Sequence, residues 1–361
     1  METKVFNSHL KVDFKQPINF KEEWAYLFKP DFAYLDVELK VRELKNVFVN
    51  HYGLVIKNGL LVKGCAPNIG HTKYEDDNFH YRHWRKGIEQ LLVSKYGRSL
   101  PSIRLDDNKK YLIIHSPWFS YYFWLTECLP RLLMVQDQLD DLILIYPEGW
   151  KKINYVNETL DLFPQLQRIE IPNDYHLFVK NLVLPEVKPW TPLIIPDQSI
   201  DVKNLILNAA IQKNITVKPI RKLYLSRADS KRKNFENEKE VSELLNKYEF
   251  EAVTFSGLSI FEQALLVNQA ENIVSITGAG MSNFTFLSKD SNVLDVTNEK
   301  YKQNKKYKFH FWKLATIMEA NYFVQFCQHT NHKDIPRFSL QNLIPDLNEM
   351  ESNLKKMTSS K

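Results

Sequence analysis

The sequence is poor in glycine, in cysteine and in long apolar runs, and each shortage narrows the class of protein. Only 10 of its 361 residues are glycine, so glycines that stand close together are informative. The three cysteines are far apart and odd in number, which indicates neither a disulfide framework nor a zinc site and favours a reducing compartment. No apolar run approaches ~18 residues, so no segment is predicted to cross a membrane. The first residues carry no signal-peptide core, and we therefore expect a cytoplasmic protein.

Positive and negative charges nearly balance, with 48 basic and 43 acidic residues and a formal net charge of +5. This excess is too weak to indicate a nucleic-acid partner, but it suits anionic small molecules or an acidic membrane surface. Hydrophobic residues make up 44% of the chain and charged residues 25%, as in globular proteins. A chain of this length predicts about two domains.

Residues 272–286 read NIVSITGAGMSNFTF and combine a strand pattern with two close glycines. The β-branched run over residues 272–276 predicts a buried parallel strand. After Gly278 and Gly280 come residues that can begin a helix. Such a turn points free N–H groups and the positive end of a helix dipole at one spot, which favours phosphate. The alternative is a tight turn of any α/β domain.

Strands and helices alternate through the second half of the chain. Helices are predicted to begin at Asn237 and Ser259, each followed three residues later by a glutamate in the capping-box position. The alternation predicts a doubly wound parallel sheet, whose ligands bind at the carboxyl ends of the strands, where the glycine turn lies. A polar stretch over residues 213–220 predicts an interdomain linker, and the end of the chain is expected to fray.

Residues 118–136 are apolar on nearly every side and predict a largely buried helix, which Pro130 should kink or restart. Glu127 and Arg131 lie four residues apart, hence on one face. They form either a buried ion pair that holds the helix or a charged couple at the edge of a cleft, because burying charge is costly.

Two further signals lie nearer the amino terminus. Short strands with polar interruptions are predicted over residues 41–56, and Asn58-Gly59 between apolar runs predicts a hairpin. Three histidines among carboxylates (His71, His80 and His83) indicate either a metal site or a solvated loop, and their spacing matches no zinc motif.

Several segments, in order, resemble motifs of the family 61 glycosyltransferases. Residues 121–131 (YYFWLTECLPR) resemble Tyr-Tyr-His-Trp-Leu-x-Glu-x-Leu-Pro-Arg, and residues 225–229 (LSRAD) resemble a Ser-Arg-x-Asp loop. Residues 258–263 and 277–283 resemble Leu-Ser-x-x-Glu-Gln and His-Gly-Ala-Gly-x-x-Asn. The resemblance covers roughly residues 40–300. Phe123 and Thr277 stand where the family has histidine, so whatever those imidazoles do elsewhere is lost or reduced here.

The resemblance implies an α/β protein of the GT-B type, with two Rossmann-like domains whose parallel sheets face each other across a cleft. Residues 1–215 would form the acceptor-side domain with a β-rich N-terminal extension, residues 216–335 the nucleotide-sugar-binding domain, and residues 336–361 a C-terminal helix and tail. The implied enzyme is an inverting, metal-independent hexosyl- or pentosyltransferase without a cofactor. It would move a sugar from a nucleotide-sugar, which we expect to be UDP-linked, to a capsular, surface-polysaccharide or lipid-linked glycan. We expect a bacterial protein with peripheral contact at the inner face of the membrane.

A metal-free transfer must stabilise the departing diphosphate with protein charges and dipoles. Arg227 at a strand end is the first candidate, because guanidinium binds phosphate oxygens bidentately. The basic residues Lys231, Arg232 and Lys233 would share this role, or at least two of them belong to a solvated basic loop. Glu262 would reach the ribose or only cap its helix. The residues predicted to bind the sugar donor are Arg227, Arg232, Glu262, Thr277, Gly278, Ala279, Gly280, Met281, Ser282 and Asn283.

The transfer also needs a base for the acceptor hydroxyl. Glu127 is the candidate, because its apolar setting should raise its pKa, and His115 is the alternative. Trp124 and Arg131 are predicted on the acceptor side. No Asp-x-Asp motif stands where a metal-dependent enzyme would need it, and Asp137, Asp140 and Asp141 are predicted to be solvated.

Two other functions remain open. A nucleotide-sugar-binding scaffold without catalysis is favoured by Phe123 and Thr277. A dinucleotide oxidoreductase fits less well, because the glycine turn lies late in the chain and Asp295, the acidic residue near the next strand, lies inside it.

Overall fold

The computed structural model describes residues 4–30, 32–66, 101–173, 175–189, 193–230, 232–303, 309–330 and 337–359. By their internal contacts the residues divide into two compact units. The first comprises Met1–Leu10 and Leu35–Val202, and the second comprises Lys11–Tyr34 and Lys203–Lys361. The grouping of Lys11–Tyr34 with the second unit is not something the sequence predicts.

A mixed sheet forms the centre of the first unit. Its described strands are β1 Lys4–Lys11, β2 Tyr34–Asn50, β3 Val55–Lys57, β4 Leu60–Leu61, β5 Ser102–Arg104, β6 Lys110–Ile113, β7 Leu142–Pro147, β8 Gln167–Ile171 and β9 His176–Pro185. The spatial order is β4-β3-β2-β9-β6-β7-β8, with β1 beside β2 and β5 beside β9. Strand β9 runs parallel to β6 and antiparallel to β2, so the parallel part of the sheet is β9-β6-β7-β8, together with β5 beside β9.

The N-terminal strands differ in length from their prediction. Instead of short pieces, β2 is one strand of 17 residues, because it pairs along much of its length with β9. The hairpin prediction is confirmed: β3 and β4 pair across Asn58-Gly59. Both turn residues have positive φ, 51° for Asn58 and 79° for Gly59, as a two-residue hairpin turn of type I′ requires.

The predicted buried helix of the first unit is present as three successive segments, Tyr121–Phe123, Trp124–Cys128 and Leu129–Leu133. The middle segment is π-helical, and the N–H of Leu129 bonds the carbonyl of Trp124. Pro130 lies in the first turn of the third segment, where a missing N–H is tolerated. The α-helix therefore restarts beside the proline, as predicted. The other described helical segments of this part of the chain are Gln136–Asp141, Trp150–Lys152, Asn154–Leu160 and Pro196–Gln212.

The second unit is a doubly wound sheet, as the alternation predicts. Its described strands are β10 Lys222–Leu225, β11 Glu251–Val253, β12 Asn272–Ile276, β13 Asn292–Asn298, β14 Asn321–His329 and β15 Leu343–Ile344. They lie in the order β11-β10-β12-β13-β14-β15, and all pairs are parallel except β14 with β15. The described helical segments are Glu22–Trp24, Glu238–Lys247, Ile260–Gln269, Ala279–Phe286, Glu299–Gln303, His310–Ile317, Phe338–Leu340 and Leu347–Ser359.

The strand order defines where this sheet can bind a ligand. The chain passes from β10 to β11 on one side and then returns to β12 on the other side of β10. Loops that leave the carboxyl ends of β10 and β12 therefore diverge and leave a crevice between them, which is the usual ligand position in open α/β sheets. Leu225 pairs with Ser275 at this edge of the sheet.

The C-terminal helix is longer and better packed than predicted. Instead of fraying, residues up to Ser359 are helical, and Met350, Leu354 and Met357 are buried in the core of the second unit. These apolar side chains recur at helical spacing, so the helix is held by one buried face. Among the described residues no helix is both long and apolar enough to cross a membrane.

The two predicted capping boxes have different outcomes. At Ser259 the box is complete, with the Ser259 side chain accepting from the Glu262 N–H and the Glu262 side chain accepting from the Ser259 N–H. At Asn237 the predicted side-chain cap is absent, so that part of the prediction is wrong. The helix Glu238–Lys247 does begin there, but Asn237 makes no side-chain cap, because its φ of −100° and ψ of 47° depart from the extended N-cap conformation.

Candidate functional site

The carboxyl ends of β10 and β12 place Arg227 against the glycine turn. A Cβ built on Gly278 would lie 3.3 Å from Nη1 of Arg227, so glycine leaves the guanidinium room that a side chain would take. The loop orients the guanidinium from its other edge, since Nε donates to the carbonyl of Lys233 at 2.9 Å and Nη2 to Ser230 Oγ at 3.2 Å. Within the described chain, Nη1 has no hydrogen-bond partner. It is the edge of Arg227 available to a ligand.

The glycine turn presents an open surface. Gly278 is fully extended, and the chain then enters the 3-10 helix Ala279–Phe286, a tighter helix than the α-helix that the pattern suggests. Nothing lies within 4 Å of a Cβ built on Gly280, and Ala279 is exposed. The turn therefore offers backbone next to the Arg227 guanidinium without packing against other residues.

Asn283 and the residues beside it lie behind this surface. Met281, Ser282 and Asn283 are fully buried. The Asn283 amide donates to the carbonyl of Gly280 at 3.0 Å and to Gln263 Oε1 at 3.1 Å, which ties the turn to the helix Ile260–Gln269. These contacts give Asn283 a structural role, and its direct contact with a nucleotide-sugar stays a prediction.

The hydrogen bonds of the Glu262 carboxylate are those of a helix cap. One carboxylate oxygen accepts from both the N–H and the hydroxyl of Ser259, each at 2.7 Å. A ribose contact would have to use the other oxygen, and that contact stays a prediction.

Thr277 holds the end of β12, just before the glycine turn, by hydrogen bonding. Its hydroxyl donates to Asp295, and the Tyr322 phenol donates to the other Asp295 oxygen at 2.6 Å. Burial raises the pKa of Asp295 to about 6, although both hydrogen bonds favour its ionised form. Thr277 is buried, so its hydroxyl positions the strand end beneath the glycines.

The basic residues of the loop after β10 differ in how exposed they are. Arg232 is exposed, whereas Lys233 is half-buried and has a left-handed backbone with φ of 62°. Burial lowers the pKa of Lys233 to about 8, with Arg227 lowering it further and Asp295 opposing. Lys231 lies outside the described residues. Lys233 is thus less exposed than its neighbour Arg232.

In the first unit, Glu127 pairs with Lys188 and not with Arg131, so the predicted couple is wrong. Nζ of Lys188 lies 3.6 Å from Glu127 Oε1, and both side chains are almost inaccessible, 2% and 0% exposed. Ser116 donates to Glu127 Oε2 at 3.1 Å. Burial raises the pKa of Glu127, while Lys188 and Ser116 oppose the shift. The π-turn changes the rotation per residue, which removes the four-residue facing of an α-helix.

Arg131 is bound to the backbone of its own unit. The guanidinium donates to the carbonyls of Pro185 at 2.8 Å and Ile114 at 2.6 Å, and also to those of Ile113 and His115. It therefore joins the carboxyl ends of β6 and β9. Trp124 is likewise buried, with Nε1 donating to Thr159 at 3.0 Å. The acceptor-side role of these two residues stays a prediction.

His115 is buried against Trp150, with ring centroids 5.4 Å apart. Burial lowers its pKa to about 3, and the Arg131 charge adds to the shift. The imidazole is therefore neutral near pH 7 and a weak proton acceptor, which disfavours it as the base.

Two other features lie away from these residues. A cavity of about 690 Å³ opens in the second unit beside the amino ends of its strands, and four of its charged residues form two ion pairs, Arg221 with Glu271 and Lys222 with Glu249. The described residues contain no group of three or more His, Cys, Asp or Glu placed to hold a metal ion. The histidines at 71, 80 and 83 lie outside the described residues.

Sequence reasoning missed Lys188 and Asp295 as parts of these clusters. Asp295 had a signal, because an acidic residue inside the apolar strand NVLDVTN must find buried partners. Lys188 had none, since its proximity to Glu127 depends on how β9 lies beside β6.

Comparison with known proteins bears on the same segments. Residues 121–294 match the sequence model of the family described as Glycosyltransferase 61, a range that contains Glu127, Arg227 and the glycine turn. No curated protein matches the chain. Residues 121–294 therefore form a Glycosyltransferase 61 domain, and the chain is a glycosyltransferase.

Proposed function

We propose that the chain transfers a sugar from a nucleotide-sugar, UDP-linked, to a surface-polysaccharide or lipid-linked glycan with inversion and without a metal ion. The observation that carries the proposal is Nη1 of Arg227 beside Gly278 at the switch point of the second sheet. The guanidinium supplies charge, and the backbone of the open turn supplies N–H groups, for a diphosphate that gains charge as the sugar leaves. A GT-B arrangement of the two units is part of this proposal.

The proposed base is Glu127. Its raised pKa suits proton abstraction near neutral pH, and Oε1 lacks a hydrogen bond. In the structure its side chain is fully buried, so an acceptor hydroxyl can reach it only if neighbouring side chains move.

A test uses Arg227→Gln with Arg221→Gln as the matched control, since Arg221 precedes the same strand at its opposite end and pairs with Glu271. UDP-glucose, GDP-mannose and a CMP-sugar are titrated by calorimetry, with and without chelator. We expect Arg227→Gln to weaken binding at least about tenfold, because a charge-assisted bond to phosphate contributes about 1.5–3 kcal/mol. The control should bind as the wild type does. Unchanged binding by Arg227→Gln would remove the proposed site.

The burial of Glu127 favours one alternative, a nucleotide-sugar-binding scaffold that does not catalyse transfer. An assay for free nucleotide on the same samples, with glycan acceptors present, separates the two. The enzyme releases nucleotide and Glu127→Gln stops it, whereas the scaffold binds the nucleotide-sugar and releases none.

A further inference from the structure

An aromatic cluster lies beyond the carboxyl ends of the neighbouring strands β6 and β7 in the first unit. Phe119 belongs to the segment that follows β6, and Trp150 begins the short helix that follows β7. The two rings are stacked, with centroids 4.5 Å apart and planes inclined by 29°. Tyr155 lies nearly parallel to Phe119, with centroids 6.4 Å apart and 24° between the planes. We call Phe119, Trp150 and Tyr155 the aromatic platform; all three lie outside the motif over residues 121–131.

The platform is fixed by buried contacts. Trp124 packs edge-on against Trp150, with ring centroids 5.3 Å apart and planes at 87°. The Asn157 amide donates to the carbonyl of Lys151 at 2.7 Å, which holds the turn between Trp150 and Tyr155. A surface that is already ordered spares a ligand the entropic cost of ordering it.

Part of the platform remains open to solvent. Phe119 is 36% exposed, whereas Trp150 beside it is only 4% exposed. Tyr155 is half-buried, and in the part of the chain that the structure describes its hydroxyl makes no hydrogen bond. Nothing lies within 4 Å of a Cβ built on Gly149, just before Trp150. The platform therefore combines an accessible aromatic ring with a hydroxyl that can bond a ligand.

The charges beside the platform favour a neutral ligand. Lys151 pairs with Glu170 at 2.8 Å, and Lys152 is matched in number by Glu148 at the other end of the same turn. An acidic membrane surface is recognised by clusters of basic residues, which this balance does not provide. A neutral sugar ring suits the platform better, because its flat C–H face is attracted to the negative face of an aromatic ring while its hydroxyl groups bond polar neighbours.

The platform also adjoins the segment that holds the proposed base. The chain passes from β6 to β7 and β8 on one side and returns to β9 on the other side of β6, so the carboxyl end of β6 is a switch point where α/β sheets bind ligands. Glu127 accepts a hydrogen bond from Ser116, after β6, and pairs with Lys188, after β9. Phe119 follows Ser116 by three residues.

We propose that the aromatic platform is a binding site for a neutral sugar ring of the glycan acceptor, which stacks on Phe119 and bonds the Tyr155 hydroxyl. This inference rests on the proposed function and gives the acceptor a chemical class at this site, an uncharged glycan. Stacking holds the sugar ring beside the segment that carries Ser116 and leaves the opposite edge of the ring free to extend into a longer glycan.

The experiment measures binding of four neutral oligosaccharides (cellotriose, maltotriose, chitotriose and mannotriose) to the full chain by saturation-transfer NMR at up to about 10 mM. We expect at least one to bind, and Phe119→Ala to weaken its binding at least about fivefold, because the stacking surface is lost. Tyr155→Phe keeps the ring and should weaken binding about two- to tenfold through the lost hydrogen bond. The matched control is Phe48→Ala in β2, since Phe48 is 37% exposed and contacts one ring, Phe178; it should bind as the wild type does.

Tm values of the same variants show that each is folded, and Tyr155→Phe tests the site even if Phe119→Ala is unstable. A wild type that binds none of the four oligosaccharides, or variants that bind like the wild type, would refute the platform. Loss of binding to phosphatidylcholine vesicles by Phe119→Ala, with oligosaccharide binding unchanged, would make it a membrane contact instead. If Arg227→Gln weakens nucleotide-sugar binding but no oligosaccharide binds, this inference fails and the sugar-donor site stands. If oligosaccharides bind through Phe119 but no nucleotide-sugar binds, the platform stands and the proposed transfer fails.

Discussion

The buried pair of Glu127 and Lys188 allows a sharp test of how the first unit is held together. Replacing Lys188 by methionine keeps the length of the side chain but leaves a carboxylate without its counter-ion in a site that solvent does not reach. Removing one partner of a buried pair costs about 3–5 kcal/mol, since the remaining charge is uncompensated. We expect Lys188→Met to lose that much stability near neutral pH.

The direction in which the stability loss of Lys188→Met changes with pH follows from the pKa of Glu127. Its folded pKa is raised above the unfolded value, and loss of Lys188, which lowers it, raises it further. A group with a raised folded pKa contributes its full stability below the unfolded pKa, about 4.3, and loses it as pH rises through the folded pKa. The defect of Lys188→Met should therefore be small near pH 4 and grow toward neutrality.

Two comparisons make the measurement decisive. The double variant Glu127→Gln with Lys188→Met removes both charges and should recover most of the loss, because neither charge is left buried alone. Lys151→Met breaks the exposed pair with Glu170, whose lysine is 60% exposed, and should cost less than about 1 kcal/mol. Denaturant unfolding is followed by tryptophan fluorescence, to which Trp124 and Trp150 of the first unit contribute along with Trp24 and Trp312 of the second. A pH-independent loss, or a double variant as unstable as the single one, would refute the reasoning.

Three shorter predictions concern the second unit. Gly278→Ala should leave stability within about 1 kcal/mol of the wild type, because its φ of 176° suits any residue, but should weaken nucleotide-sugar binding by displacing Arg227; calorimetry and denaturation check this. Ser259→Ala should lose about 1 kcal/mol by denaturation without changing that affinity, since it removes an N-cap. Asp295 has a raised pKa, so the wild type should lose stability as pH rises through about 6, and a Tm series on Asp295→Asn should lack this step.

Much of the second unit could be predicted, because its elements are local patterns. Residues 272–276 coincide with β12, and Ser259 starts its helix with the predicted cap. The period of apolar residues and the cap residues act within a few positions of each other, so no tertiary information is needed. The doubly wound order followed from their alternation.

The first unit was harder, because its features depend on pairing between distant segments. β2 extends to 17 residues only because β9 lies beside it, and a strand interrupted by polar residues gives no local sign of that length. The predicted pairing of Glu127 with Arg131 was wrong for a similar reason. An i,i+4 rule assumes α-helical rotation, and the π-turn from Trp124 to Leu129 was not visible in the sequence.

The structure separates cations that the sequence could not rank. Arg131 and Arg227 stand in equally suggestive motifs, yet Arg131 is surrounded by four backbone carbonyls that account for its burial. Arg227 has one edge bonded to its own loop and leaves Nη1 against an open glycine turn. A buried charge whose partners all lie within the protein needs no external ligand. A charge with unfilled bonding capacity at a sheet's switch point favours an anion from outside, and under the proposed function that anion is the diphosphate of the sugar donor.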